Sequence, residues 1–202
     1  GELQCVVVAG RLSSEPPGLP VLPSTIYDLA SLTKPLATAT SVLLLIQCAK
    51  IALEDPVQQV LAELEGVPIG QATVRDLLTH RSGLPGWRPF YERLDERGIV
   101  PELPGVDQAV KQHVLQMIRD EPLIYVRGER SVYSDLGFML LGFLVERLSG
   151  MGLALWCDEA IIQQLQAYPL MFCPHAGRAH PGCPRPTGTA TPNGPHDTRK
   201  PA

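Results

Sequence analysis

Residues 27–37 read YDLASLTKPLA, and within them Ser31 and Lys34 stand three apart. On a helix, positions i and i+3 lie about 60° apart in azimuth and about 4.5 Å apart in rise, so the two side chains meet. A serine hydroxyl is a poor nucleophile at neutral pH and needs a base to take its proton. A lysine serves as that base only if burial or a neighbouring cation lowers its pKa. A helix N-terminus would add backbone N–H groups able to stabilise an oxyanion. The plainer account makes Ser31 a helix N-cap and Lys34 a solvated residue of the first turn. That account fits Lys34 badly, because a cation in the first turn opposes the helix dipole. Short motifs arise by accident, so the pair alone leaves both readings open.

Two other stretches hold chemistry-bearing side chains. In VYSDLG (132–137), Tyr133 precedes a helix and could shuttle a proton beside a serine nucleophile. Asp135 could bond a lysine ammonium or a substrate amide. The alternative is half-buried packing for Tyr133 and ordinary N-terminal helix roles for Ser134 and Asp135. In LLTHRSGLPGW (77–87), His80 and Ser82 could form a His/Ser pair, although a hydrogen-bonded structural histidine in a helix-to-turn loop is the simpler account.

The elements that must position these residues follow from the pattern. Leu3–Leu12 is β-branched and apolar and reads as a strand. Residues 13–23 carry four prolines and form a loop. A helix is predicted over about 31–51, apolar at nearly every turn and so buried on most sides, with Pro35 in its tolerant first turn. Thr73 caps a short helix over 73–79, and Gly83, Pro85 and Gly86 end it. A charged, proline-bearing loop runs to about Pro104, and an amphipathic helix covers 106–120. Another strongly apolar helix covers 135–148, behind an N-cap at Ser134 and ahead of Gly150; 153–166 is a further one. One strand among several helices cannot satisfy its own edges, so the fold class is α+β with an incomplete antiparallel sheet.

Residues 1–173 are read as a partial domain. Residues 174–202 form a Pro/Gly-rich tail with almost no large apolar side chain, too little to offset its ordering entropy, and are read as disordered. In and beside the tail, Cys173, His175, His180 and Cys183 invite a zinc reading, but the cysteines lack tight metal-ligand spacing, and no metal site is assigned. A net charge of −4 and the absence of a basic stripe argue against nucleic acid as a partner. The longest apolar run, Val42–Ile46, is too short to span a membrane. Residues 1–10 lack the basic and apolar regions of a signal peptide, so the default localisation is cytoplasmic, unless the natural N-terminus is missing. Oligomeric state is not readable from the sequence.

YDLASLTKPLATAT, TVRDLLTHRSGLPGW and YSDLGFMLLGFLVERLSG, in that order, resemble the serine β-lactamase-related family of class C β-lactamases, penicillin-binding D-alanyl-D-alanine carboxypeptidases and related esterases. The resemblance covers about Gly10–Gly150. It implies an antiparallel sheet flanked by helices plus a helical region, of which this chain holds mostly the helical part. It also implies Ser31 as the acylated nucleophile, Lys34 as its base or proton relay, and Tyr133 as the tyrosine of a Tyr-x-Asn motif. Asp135 replaces the Asn of that motif, at a substrate-binding position. The implied reaction is acyl transfer through an acyl-enzyme on a small ester or amide, without metal or organic cofactor. The family's third motif, a Lys or His two residues before Gly on a strand, has only His175-Ala-Gly177 as a candidate, and that stretch is not taken as the motif. The likeness fades beyond Gly150, and the end is expected to be truncated, or read in another frame, after about residue 170. The alternative function is therefore a catalytically incomplete family member or interaction protein.

Overall fold

The computed structural model describes residues 5–14, 16–96, 108–168 and 170–172. The chain divides into two compact units, one formed by Gly1–Asp28 with Arg178–Ala202 and the other by Leu29–Gly177. The proposed tail, including the Cys/His cluster and His175-Ala-Gly177, lies outside the described residues.

In the first unit the expected strand does not form over the described part of Leu3–Leu12. Cys5–Ala9 has no regular element, and Arg11 makes an isolated antiparallel bridge to Pro20. The Leu12 N–H donates to the Leu19 carbonyl at 2.8 Å, and the Val21 N–H to that of Gly10 at 3.1 Å. The ladder stops there because the facing segment carries prolines at 16, 17, 20 and 23, which have no N–H to give. Val6, Val7 and Val8 remain outside any core. Among the described residues, isolated bridges are the only β-structure.

The second unit is helical. Its first helical run begins as a tight turn at Ala30–Leu32, widens to π geometry over Lys34–Ala39 and settles into α1, Thr40–Gln47. Ala37, Thr38, Ser41, Val42 and Leu45 are buried, while Leu32, Leu36 and Leu43 are exposed. The expected burial on most sides is therefore corrected to one face: α1 packs against the helix Asp135–Ser149 and against residues 158–162. Three short turns (Val57–Gln59, Ala62–Leu64 and Pro68–Gln71) lead to α2, Val74–Leu78. There the Thr73 hydroxyl accepts from the Asp76 N–H, and the Asp76 carboxylate accepts from the Thr73 N–H. This reciprocal cap fixes where α2 starts.

The stretch expected to be loop contains a helix, α3, Phe90–Glu96. Phe90 and Leu94, four apart, are both buried. Arg88 and Arg93 hold the buried Glu121 at 2.8 and 3.1 Å. Together these outweigh the local charge density, because an i, i+4 apolar pair is enough to seat one helical face. α4 spans Gln108–Arg119, and α5 spans Asp135–Ser149 between the Ser134 cap and Gly150 at φ 71°. α5 is the central element: Leu136, Leu140, Leu141, Leu144 and Val145 are fully buried in the main core. Glu146 ties it outward, accepting from Lys111 at 2.6 Å and from the Leu153 N–H at 2.9 Å. α6, Leu153–Cys157, continues through a π segment, Asp158–Ile162, into α7, Gln163–Leu165. No single helix among the described residues is long and apolar enough to cross a membrane.

Candidate active site

Ser31 lies in the tight turn that opens the first helical run, and it does not cap it. Leu29 takes the N-cap position and no side chain bonds to the cap, so the N-cap account of Ser31 fails. Just before Ser31, Ala30 has φ 45°, a left-handed conformation that a residue with a Cβ rarely adopts. Strain of this kind persists only where the surroundings over-determine it, and it concentrates at working sites. The hydroxyl of Ser31 accepts from Lys34 Nζ at 3.3 Å.

Lys34 is not a solvated surface residue either: its side chain is 15 % exposed and its Nζ lies 2.6 Å from Asp135 Oδ1. Nζ also sits over the Tyr133 ring, 4.9 Å from the centroid. Burial by itself would depress the lysine's pKa, but the Asp135 carboxylate and the Tyr133 hydroxyl outweigh it and hold the ammonium above its ordinary 10.5. Tyr133 moves the other way. Hydrogen bonding with Ser31, and then with Lys34, lowers its phenol below the usual 10.0. Ser31, Lys34, Tyr133 and Asp135, which sit about 100 residues apart in two pairs, are thus brought together. A cavity of about 520 Å³ opens beside Ser31, Lys34 and Asp135, with Phe138, Met139 and Leu153 among its other lining residues.

The 79–86 loop holds the 131–135 segment through main-chain and side-chain bonds. The Val132 N–H donates to the His80 carbonyl at 2.9 Å and the Asp135 N–H to that of Gly86 at 2.8 Å. The Ser131 hydroxyl donates to Thr79 O at 3.1 Å, and the Ser134 hydroxyl donates to Pro85 O at 2.7 Å while accepting from the Gly137 N–H. Ser82 is buried, so a His80/Ser82 catalytic pair is excluded by access to Ser82. At Gly86 a Cβ would stand 2.9 Å from the Tyr133 carbonyl oxygen. Gly86→Ala is expected to cost about 1–3 kcal/mol through overpacking, read as a lower urea midpoint. An unchanged midpoint would show that the two segments can separate freely.

Among the described residues no group of three His, Cys, Asp or Glu side chains is placed to hold a metal ion. The Lys34–Asp135 pairing spans 101 positions of sequence, and only the VYSDLG motif points to it.

The sequence model of the beta-lactamase family matches residues 5–202. Penicillin-binding protein 4* of Bacillus subtilis (strain 168) is 34 % identical over 140 residues, which cover 67 % of this chain and 28 % of that protein. A solved octameric penicillin-binding protein homologue from Pyrococcus abyssi superimposes with a TM-score of 0.57 at 30 % identity, covering 73 % of this chain and 33 % of that one. A class C beta-lactamase from Rhodobacter sphaeroides gives 0.56 at 26 % identity, covering 76 % and 38 %. The chain spans about a third of the length of the curated relatives it matches.

Proposed function

The chain belongs to the beta-lactamase family, and from that premise we propose that it is a serine hydrolase that transfers an acyl group from a small ester or amide through a Ser31 acyl-enzyme. The observation that carries the reading is the convergence of Ser31, Lys34 and Tyr133 beside an open cavity. Asp135 acts by holding Lys34 as an ammonium, which removes the lysine as a base. The base is then the Tyr133 phenolate, stabilised by that ammonium.

The Ser31 oxygen attacks the substrate carbonyl carbon while its proton passes to the Tyr133 oxygen. The tetrahedral intermediate collapses, the bond to the leaving group breaks, and the alcohol or amine departs with the proton held by Tyr133. Water, deprotonated by Tyr133, then attacks the ester carbonyl, and Ser31 recovers its proton as it leaves. The apolar side chains Phe138, Met139 and Leu153 in the cavity suit an apolar acyl group.

A fluorophosphonate tests this directly: the chain should gain one adduct, located by peptide mapping at Ser31. An unlabelled chain, or an adduct elsewhere, sinks the reading. The rate should climb with pH as Tyr133 ionises below 10.0, and fall only where Lys34 loses its proton, above 10.5. A rate that instead keeps climbing as Lys34 loses its proton, above 10.5, would return the base role to lysine. The second reading, a catalytically incomplete chain, rests on one observation: among the described residues no strand is present to offer a second oxyanion donor.

A further inference from the structure

His80 is the titratable group nearest the site that the proposed reaction leaves unused. Its backbone sits at φ 58°, in the left-handed region, and its carbonyl accepts from the Val132 N–H and, at 3.1 Å, from the Tyr125 hydroxyl. Its ring makes three contacts with the segment that carries Tyr133. Nδ1 accepts from the Ser134 N–H at 3.0 Å. One neighbour of the ring is the Tyr133 ring, 4.6 Å between centroids, and another is the Phe138 ring at 5.0 Å. A ring nitrogen that accepts must be unprotonated, so the neutral imidazole carries its proton on Nε2. The imidazole therefore bonds the peptide immediately after Tyr133 and packs against the tyrosine's own ring.

We propose that neutral His80 is a positioning residue that sets the place of the Tyr133 hydroxyl against Ser31 and Lys34, and that protonation of its ring releases Tyr133 from that place. A proton on Nδ1 would confront the Ser134 N–H with a second donor and break the bond. It would also put a second cation beside Lys34. The charged and titratable groups facing the ring are Lys34 from the first helical run, Tyr133 from the segment before α5 and Asp135 from its first turn. Burial, then the Lys34 charge, depress the imidazole below its ordinary 6.5, with Asp135 opposing. The neutral form is therefore the one the fold selects. The stabilisation it gives is complete above 6.5 and is lost as pH falls through the depressed value.

The functional half of this inference rests on Tyr133 as the base, so the experiment has one arm that needs no reaction. In the full chain, the Ser134 amide and Tyr133 ring resonances should both titrate with a common midpoint below 6.5, and His80→Asn should abolish that titration. Asparagine suits the test because it tolerates left-handed backbone and offers an acceptor oxygen where Nδ1 lies. In the second arm, the logarithm of the fluorophosphonate labelling rate should fall with slope one on the acid side of neutrality. It should steepen to slope two below the His80 midpoint, while His80→Asn keeps slope one throughout. His80→Ala should label about 10- to 100-fold more slowly than wild type at pH 8, the scale of a misplaced catalytic group, and His80→Asn should recover to within about threefold.

Resonances of Ser134 and Tyr133 that ignore pH would overturn the proposal. So would an acid limb that His80→Asn leaves unchanged, or wild-type labelling by His80→Ala. If the wild-type chain is not labelled at any pH, the hydrolase reading fails. The titration of the two resonances then decides alone whether His80 positions Tyr133.

Discussion

Ser31→Ala is expected to abolish fluorophosphonate labelling and to lower ester turnover by about a thousandfold or more, roughly 4 kcal/mol of transition-state stabilisation. The chain has other serines, and their surroundings explain why the loss should fall on this one. Ser41, Ser82 and Ser134 are at most 1 % exposed and cannot meet a substrate. Ser131 and Ser149 are bonded to backbone groups of Thr79 and Met151. Ser31 combines exposure, a lysine donor at 3.3 Å and the coupling to Tyr133. Because its hydroxyl supports no core contact, the variant should unfold at the same urea concentration as wild type. Turnover that survives in a normally folded Ser31→Ala would place the nucleophile elsewhere.

Leu141→Ala should be the most damaging of the simple core truncations. Leu141 is completely buried at the middle of α5, within the one large apolar cluster that also takes in α1, α2, α3 and α4. The change removes three carbons and leaves a void that neighbouring helices fill only in part, at a cost of about 2–5 kcal/mol. Against a total of about 5–15 kcal/mol for a folded domain, that is a large share. The check is a urea midpoint that drops with the slope of the transition unchanged. Leu155→Ala, on a residue 53 % exposed, serves as the control and should shift the midpoint by less than about 0.5 kcal/mol in equivalent terms. Equal shifts for the two would mean that α5 is not the centre of the core.

What could be read in advance follows from the range of the forces involved. The caps at Thr73, Ser134 and Gly150 are local, so the starts of α2 and α5 and the end of α5 stand where the residues around them put them. α3 was hidden because its stabilisation comes from Glu121, some 30 residues on, which gathers Arg88 and Arg93. Residues 5–12 form no strand because β-branched residues show willingness to extend, whereas a ladder also needs donors on the facing segment. At the site, the spacing of Ser31 and Lys34 announced their proximity but not the lysine's carboxylate partner. The carboxylate that keeps Lys34 charged arrives from position 135, and no periodicity near residue 34 announces it. His80 illustrates the same limit, since its partner N–H lies 54 positions away.

The pairing of 79–86 with 131–135 also bears on how such a chain can change over generations. The 37 residues from 87 to 123 leave this clasp, and the Ile124 and Gly128 N–H groups rejoin it by donating to the Gly83 and Arg81 carbonyls. The alignment of Tyr133 is fixed at the clasp, not by the path taken between its two sides. Doubling the length of a flexible connection costs only about 0.6 kcal/mol in closure entropy. Insertions between the two sides of the clasp can therefore accumulate while the tyrosine stays in register with the serine.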